Sequence, residues 1–473
     1  MKRFYLVSLG CAKNTVDTES MSQVLFNAGY QIVNGPTQAD VLIVNTCGFI
    51  APAREESLTV LKELANHKRK GQLLIAAGCL TQRYGVEVAR RVPGIDGILG
   101  TRRWNEIVDL IQRLRSNGRP GPLYHIPEGD KVVIDLPGVK RVAVQGSSAY
   151  LKIADGCRRP CAFCAIPLIK GTAVSRPLEA IIREALALQD SGVRELILIA
   201  QDTTDYGHDL GMKDGLSILL EKLATALEDS SSLAADPQRR ISWIRIMYAF
   251  PGYVTDRMIE TMAKYPQILP YLDIPLQHAS REVLRRMRRP ANIEWVYRTI
   301  EKLRLTLPGI TIRTTFIVGY PGETEAAFQE LLDFISEVRF DRVGAFKFSF
   351  ELGTPSEPLG DPIPEEVKTE RWERLMALQQ GISLQKNQSL VGSTLEVLIE
   401  GNGEGLSIGR TYRDAPEIDG LIFVEGNLPS GEIVPVRVTG ALAYDLTGVA
   451  VAAHGLIEPA GVKTGIARQA DVE

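Results

Sequence analysis

Six cysteines are the residues best suited to chemistry in this 473-residue sequence, and they divide into two sets of three. Cys157, Cys161 and Cys164 fall within eight residues. Three thiolates at this spacing, on a loop that follows a strand, can wrap one corner of a [4Fe–4S] cube. A cube has four irons, so three ligands leave one open for reaction. Zinc is the rival occupant, but a structural zinc site takes four protein ligands, and no histidine in the segment supplies the fourth. Three unconnected buried thiols are the remaining reading.

Cys11, Cys47 and Cys79 are separated by 36 and 32 residues, about one strand–helix repeat each. Each stands just past the end of an expected strand. Parallel strands would carry all three to one sheet edge, where a second cluster with an open iron could form. Gly10, Gly48 and Gly78 adjoin the cysteines and would let backbone approach a bulky group. Asn45-Thr46 and Lys13-Asn14 offer hydrogen-bond donors that could tune it. The alternative is three small core residues that happen to end strands.

The elements that must position these residues are legible in the hydrophobic pattern. Phe4–Leu9, Val41–Asn45 and Leu73–Ala77 read as buried strands, alternating with helices over Asp17–Ala28, Pro52–His67 and the stretch through Arg90. This alternation implies βαβ units and a parallel sheet. Pro120, Pro122, Pro127 and Pro137, with five glycines, mark a boundary over 118–146. Six further strands are expected at Tyr150–Ala154, Glu195–Ala200, Ile241–Tyr248, Tyr271–Ile274, Ile310–Val318 and Arg342–Phe348, with helices such as Pro177–Asp190 and Thr324–Val338 between them. They suggest a parallel barrel, or an open partial one, with its chemistry at the carboxyl ends of the strands. A polar helix over about Pro364–Leu390 precedes short strands at Leu395–Glu400, Leu421–Val424 and Ile433–Thr439, the pattern of a small all-β barrel. The chain is thus expected to be α/β and multidomain: an α/β cluster domain over 1–118, a linker over 119–146, a partial (β/α)6 barrel over 147–385, a β-barrel over 386–456 and a tail over 457–473.

Hydrophobic content of 45% and charged content of 23% are those of an ordinary globular protein. The net charge of −3 gives no whole-chain field toward nucleic acid or anionic membrane. Six cysteines are too sparse for a disulfide-stapled secreted scaffold. The basic, then apolar start before Cys11 imitates a lipoprotein signal, but its apolar stretch is short and polar residues follow at once. No apolar run approaches the ~20 residues of a membrane span. A cytoplasmic location is expected.

CxxxCxxC on a βα barrel resembles the radical S-adenosylmethionine superfamily. There the open iron chelates the amino and carboxylate groups of S-adenosylmethionine, and one-electron cleavage yields a 5′-deoxyadenosyl radical that abstracts hydrogen. Ser8–Asn14, Asn45–Ile50 and Ala76–Leu80 together resemble the methylthiotransferase family, whose order of cluster domain, radical barrel and C-terminal TRAM barrel matches essentially the whole chain. Ala165–Gly171, Ala200–Gly207, Tyr271–Ser280 and Val318–Thr324 are similar to the branch that adds a methylthio group to the β-carbon of one aspartate in a small-subunit ribosomal protein. A sister branch acts on an adenosine in transfer RNA. Arg158 and Lys170 depart from the pattern, which has Asn and Arg there; neither is a cluster ligand.

The resemblance implies two [4Fe–4S] clusters and S-adenosylmethionine. The compact cysteine set makes the radical, and the dispersed set delivers sulfur methylated by a second S-adenosylmethionine. It also implies a sulfur donor and an electron donor such as a flavodoxin or ferredoxin. Gln201, Asp202, Gln277, His278 and Glu323, at expected strand ends, are candidates for contacting S-adenosylmethionine, although each could be a satisfied loop residue. Independently of any motif, residues 391–455 hold nine acidic against three basic side chains, a net of −6. Such a domain repels RNA but suits a basic ribosomal protein. A protein substrate is therefore expected, with no direct nucleic-acid recognition and no membrane partner. A ribosome-associated binding protein with structural clusters is the reading from another class; an open iron on each cluster argues against it.

Overall fold

The computed structural model describes residues 2–116, 121–127, 129, 131–133, 135–229, 240–452 and 455–456. The expected tail over 457–473 lies outside the described residues, as do Gly118 and Pro120 of the expected linker. The chain divides into two compact units, Met1–Ile382 and Ser383–Glu473. The first holds both cysteine sets.

The first sheet of that unit is six-stranded. Its strands are β1 (Lys2–Ser8), β2 (Tyr30–Ile32), β3 (Val41–Thr46), β4 (Leu73–Gly78), β5 (Gly97–Gly100) and β6 (Leu123–His125), in the order β2-β1-β3-β4-β5-β6 and all parallel. Helices α1 (Ala12–Asn27), α2 (Ala51–His67), α3 (Cys79–Arg91) and α4 (Ile107–Ser116) connect them. Phe4, Val41, Ile43, Ile75 and Leu99 pack in one core cluster, and Leu42, Val44, Leu74 and Ile98 in another. With a side-chain period of two, these are opposite faces of the sheet, both covered, which is why the strands read as continuous apolar runs. Each such aliphatic side chain contributes about 1.5–3 kcal/mol on burial. Helix α1 begins at Ala12, five residues earlier than the sequence suggested, because its first turn buries polar rather than apolar side chains.

The second sheet has seven strands. They are β7 (Val142–Gln145), β8 (Ser148–Lys152), β11 (Glu195–Ile199), β12 (Trp243–Ile246), β13 (Ile268–Asp273), β14 (Thr311–Val318) and β15 (Arg342–Lys347); β9 (Ala154–Asp155) and β10 (Val174–Ser175) form a separate small ribbon. The order β15-β14-β13-β12-β11-β8-β7 is parallel except for the β7–β8 pair, and β15 and β7 are its two ends. This is the open form of the two barrel alternatives. The strand expected over Ile241–Tyr248 is shorter, because Tyr248 turns into a left-handed conformation (φ +61°). Leu151, Leu196, Leu198, Ile244, Ile246 and Phe316 pack outward beneath the helices. The alternate positions carry charge: Glu195 pairs with Arg245 at 2.7 Å, Arg245 stacks on Tyr271, and Asp273 pairs with Arg313 at 3.0 Å. A charged interior is compatible with a ligand cavity, unlike the branched aliphatic layers of a closed barrel.

Residues 119–146 are not a free tether where they are described. Leu123–His125 completes the first sheet and Val142–Gln145 edges the second.

In the second unit β16 (Thr394–Gly403), β17 (Leu406–Thr411), β18 (Ile422–Glu425), β19 (Ile433–Ala441) and β20 (Leu446–Ala452) form a sheet that closes through a β18–β20 pairing, with β21 (Gly455–Leu456) on β20. Closure removes the unpaired edges of these strands. Val397, Ile399, Ile422, Val424, Val436 and Val438 fill its core. Among the described residues no helix is long and apolar enough to cross a membrane.

Candidate functional site

Cys11 caps α1 just beyond β1, Cys47 follows β3, and Cys79 opens α3 directly after β4. Strands β1, β3 and β4 are neighbours in register, Ser8 opposite Asn45 and Thr46 opposite Gly78, so the three cysteines share one sheet edge. The glycines allow the loops to meet there. A Cβ on Gly10 would lie 2.8 Å from Cys47 Cβ, and one on Gly48 would lie 2.6 Å from the Leu80 nitrogen. Gly78 has φ +103°, and its Cβ would strike Asn45 Oδ1 and come within 2.6 Å of the Thr46 carbonyl. Gly78→Ala is therefore expected to destabilise the protein by about 2–3 kcal/mol. Urea unfolding checks this; a change below about 0.5 kcal/mol would show that the loop relaxes freely.

Asn14, Asn45 and Thr46, which sequence offered as donors toward the sulfurs, have other partners. Asn14 donates to the Leu9 and Asn45 carbonyls (2.6 and 3.1 Å), Asn45 donates back to the Asn14 carbonyl (3.0 Å), and Thr46 donates to the Ala77 carbonyl (2.5 Å). They staple the three loops together instead. Burial pushes the Cys47 thiol up and the Cys79 thiol up to about 12.

The compact set lies on the loop after β8 and β9. Gly156, at φ +77°, opens it, and Cys157 N–H donates to the Gly171 carbonyl (3.0 Å). Cys161 is buried, and the other two are half-buried. N–H groups face all three sulfurs: Arg159 N to Cys157 Sγ at 3.4 Å, Ile166 N to Cys164 Sγ at 3.5 Å, and Arg289 Nη1 to Cys161 Sγ at 3.5 Å. Burial holds the Cys157 thiol up at about 11 and pushes Cys164 up as well. Thiolates this strongly disfavoured by desolvation, yet met by N–H donors, suit coordination to a metal cluster that supplies the missing positive charge. No three His, Cys, Asp or Glu side chains among the described residues close on a point suited to a single metal ion.

A buried ionic network joins the two sets. Asp17, on α1, accepts from Lys152 (2.6 Å), Lys170 (2.6 Å) and Arg141; Asp155, next to the compact cysteine loop, accepts from Lys152 (3.0 Å) and Lys170 (3.4 Å). None of the five is more than 2% exposed. Burial drives Asp17 upward, but Lys152, Lys170 and Arg141 outweigh it and hold the carboxyl well below its usual range. The same contest leaves Asp155 at about 2, and the two carboxylates hold Lys170 above its ordinary range against burial. Lys170 also acts electrostatically on Cys79, lowering it against the pull of burial. A second clasp centres on Glu351, which is 2% exposed and accepts from Arg54 and from Arg83 (2.8 Å), while Ala51 N–H donates to Ser349 Oγ (3.4 Å). Sequence reading missed Asp17, Arg141, Lys152 and Glu351. The available signal was the polar face Asn14–Asp17–Thr18 on α1, whose i, i+3, i+4 spacing places all three together.

The candidate S-adenosylmethionine residues lie at the carboxyl side of the barrel sheet, and several have protein partners. Asp202 is bound by Arg159 Nε (2.6 Å) and caps Thr204 N–H (3.0 Å). Glu323 Oε2 accepts from the Gly319 N–H (2.7 Å) and Oε1 from Arg371 (3.0 Å). His278 Nδ1 accepts from the Ser280 N–H (2.9 Å), and Gln277 continues the β14 pairing through its backbone at φ +79°. Gln201 donates to Asp155 at 2.8 Å. Among the described residues Gln201 Oε1 and His278 Nε2 are buried with no hydrogen-bond partner, His278 Nε2 lying 3.7 Å from Glu323 Oε2, and such groups are ones a ligand would satisfy. Arg158 turns its side chain to Asp205 in a two-pronged pair (2.6–2.9 Å).

Three stretches of the chain match known families. Residues 151–335 match the Radical SAM superfamily, 3–100 the uncharacterized protein family UPF0004, and 391–451 the TRAM domain. A protein of Chloroflexus aurantiacus named ribosomal protein uS12 methylthiotransferase RimO is 50% identical, over 95% of this chain and 100% of its own length. One of Roseiflexus sp. (strain RS-1), with the same name, is 46% identical over 95% of this chain and 98% of its own. The chain belongs to the RimO family. It is a radical S-adenosylmethionine methylthiotransferase, and a [4Fe–4S] cluster and S-adenosylmethionine go with that superfamily. Among solved structures, the radical S-adenosylmethionine methyltransferase TsrM of Kitasatospora setae, with cobalamin and a [4Fe–4S] cluster bound, shares the fold at TM-score 0.54. It covers 86% of this RimO-family chain and 81% of its own, at 13% identity.

Proposed function

We propose that the enzyme adds a methylthio group to the β-carbon of an aspartate in the small-subunit protein uS12, using two [4Fe–4S] clusters. One is held by Cys157, Cys161 and Cys164, the other by Cys11, Cys47 and Cys79, and each set leaves one iron open. The observation that carries this reading is the placement of both sets at strand carboxyl ends within one compact unit, tied together by the Asp17 network.

The aspartate β-hydrogens are unactivated, and cofactors supply such chemistry while the protein positions it. Together, the clusters and S-adenosylmethionine supply a hydrogen-abstracting radical and a methylated sulfur. The chain's own residues do the positioning. Asn14 and Asn45 fix the loops of the dispersed set, and Arg159, Ile166 and Arg289 present N–H groups to the compact set. Buried lysines and arginine exceed the buried carboxylates by one charge, which suits the anionic character of thiolate-ligated clusters. Among Gln201, Asp202, Gln277, His278 and Glu323, we propose Gln201 and His278 as the S-adenosylmethionine contacts with polar atoms to spare. The proposed domain limits are 1–118, 147–385 and 386–456.

The relatives' printed substrate and the −6 charge of residues 391–455 both favour a basic protein over RNA. Mass spectrometry of uS12 and of transfer RNA, after incubation with reconstituted enzyme, S-adenosylmethionine, reductant and sulfide, tests the choice. A methylthio group is expected on uS12. The same group on RNA with none on uS12 would assign the enzyme to the sister chemistry.

A further inference from the structure

Lys13 stands two residues after Cys11 in the first turn of α1, and its Nζ lies 3.2 Å from the centre of the Tyr248 ring. Tyr248 belongs to the barrel, just beyond the carboxyl end of β12. A bulky residue holds its φ of +61° only where the surroundings impose it. They do so here: Tyr248 N–H donates to Asp273 Oδ2 (3.2 Å), and its carbonyl accepts from the Thr203 N–H (3.1 Å). An aromatic ring is thus fixed at the barrel mouth, under a cation delivered by the loop of the dispersed cysteine set.

Burial pulls Lys13 below its ordinary range, and the carboxylates that counter that pull, Asp273 and Asp155, are committed elsewhere. Asp273 accepts from Arg313 at 3.0 Å, and Asp155 accepts from Lys152, Lys170 and Gln201. Among the described residues no carboxylate pairs with Lys13. A half-buried ammonium stacked on a ring presents its remaining N–H donors away from the ring, which is the arrangement of an anion receptor.

We propose that Lys13 binds the carboxylate of the substrate side chain and thereby selects an acidic residue for modification. This rests on the proposed function. The β-carbon of aspartate is bonded directly to its carboxyl carbon, so whatever holds the carboxylate also locates the reacting carbon. That carbon must be reached from both cysteine sets. Lys13 is two residues from one set and stacked over the mouth of the barrel that carries the other. An adenine has no carboxylate to offer, and asparagine has the shape of aspartate without the charge.

The test compares uS12 bearing its native aspartate with uS12 bearing asparagine there, using wild-type enzyme, K13R and K13M. Methylthio product is followed by mass spectrometry, and affinity for each form by a binding titration. Wild type is expected to favour aspartate by about 100-fold, the worth of a charge-assisted hydrogen bond, and K13R to retain most of that preference. In K13M the preference is expected to collapse to within about threefold, in binding as well as in turnover. A K13M enzyme that keeps the wild-type preference overturns the inference whatever its absolute rate, because loss of fold or of cluster lowers both substrates alike. If K13M turns over neither form, the binding ratio decides in the same way. Wild-type enzyme that modifies RNA and never uS12 sinks the functional reading instead.

Discussion

Cys157→Ala is expected to abolish reductive cleavage of S-adenosylmethionine, by more than about 10³-fold, whereas Cys11→Ala keeps that cleavage and loses the methylthio product. The asymmetry follows from the two cysteine sets having different partners. Cys157 is one of three thiols on a single ten-residue loop, and under the proposed assignment its removal would leave two ligands for that cluster. Cys11 belongs to a separate sheet edge whose loops are held by Asn14, Asn45 and Ser57, so its removal need not disturb the barrel. Each variant should retain about half of the wild-type iron. The checks are 5′-deoxyadenosine formation, iron and sulfide content, and product mass. Methylthiolated product from Cys11→Ala would refute the assignment of the dispersed set.

Asp17→Asn is expected to cost about 3–5 kcal/mol, the usual effect of removing one partner from a buried charge network. The substitution preserves shape and leaves Lys152, Lys170 and Arg141 with Asp155 alone. Adding Lys170→Met should recover part of the loss, since it removes one of the stranded cations. The pH dependence has a definite sign. Asp17 and Asp155 both titrate lower in the folded protein than in the unfolded chain, so the stabilisation is fully present above about pH 4 and is lost as pH falls. For Asp155 the loss is centred between about 4 and about 2 and amounts to roughly 2 kcal/mol. Asp17 extends it to still lower pH. Urea titrations at several pH values measure both effects; a D17N protein within about 0.5 kcal/mol of wild type would show that the network contributes little.

Much of this was readable from residue spacing. Strong apolar runs such as Val41–Asn45 and Glu195–Ala200 announced the central strands, and the cysteines past β1, β3 and β4 announced the shared edge. The short strands escaped for physical reasons. Gly97–Gly100 is four residues bounded by glycine, and Leu123–His125 is three residues inside a proline- and glycine-rich stretch, so neither carries a periodic signal. The ionic network escaped for a different reason. Buried charge leaves no hydrophobic stripe, and Lys152 at the end of β8 gave no sign of a partner on α1, 135 positions away. The hydrogen-bonding roles proposed for Asn14, Asn45 and Thr46 were misdirected because a side chain's partner depends on loop geometry, not on proximity in sequence.

The Glu351 clasp has a consequence for how the enzyme must turn over. With Arg54 and Arg83 gripping one buried carboxylate, and Asp17 gripped by three cations elsewhere, buried ion pairs span the two cysteine-bearing halves at two separate places. Parting them would strand buried charge, a cost that opposes opening between these halves. The two sets of thiols behave as fixed stations.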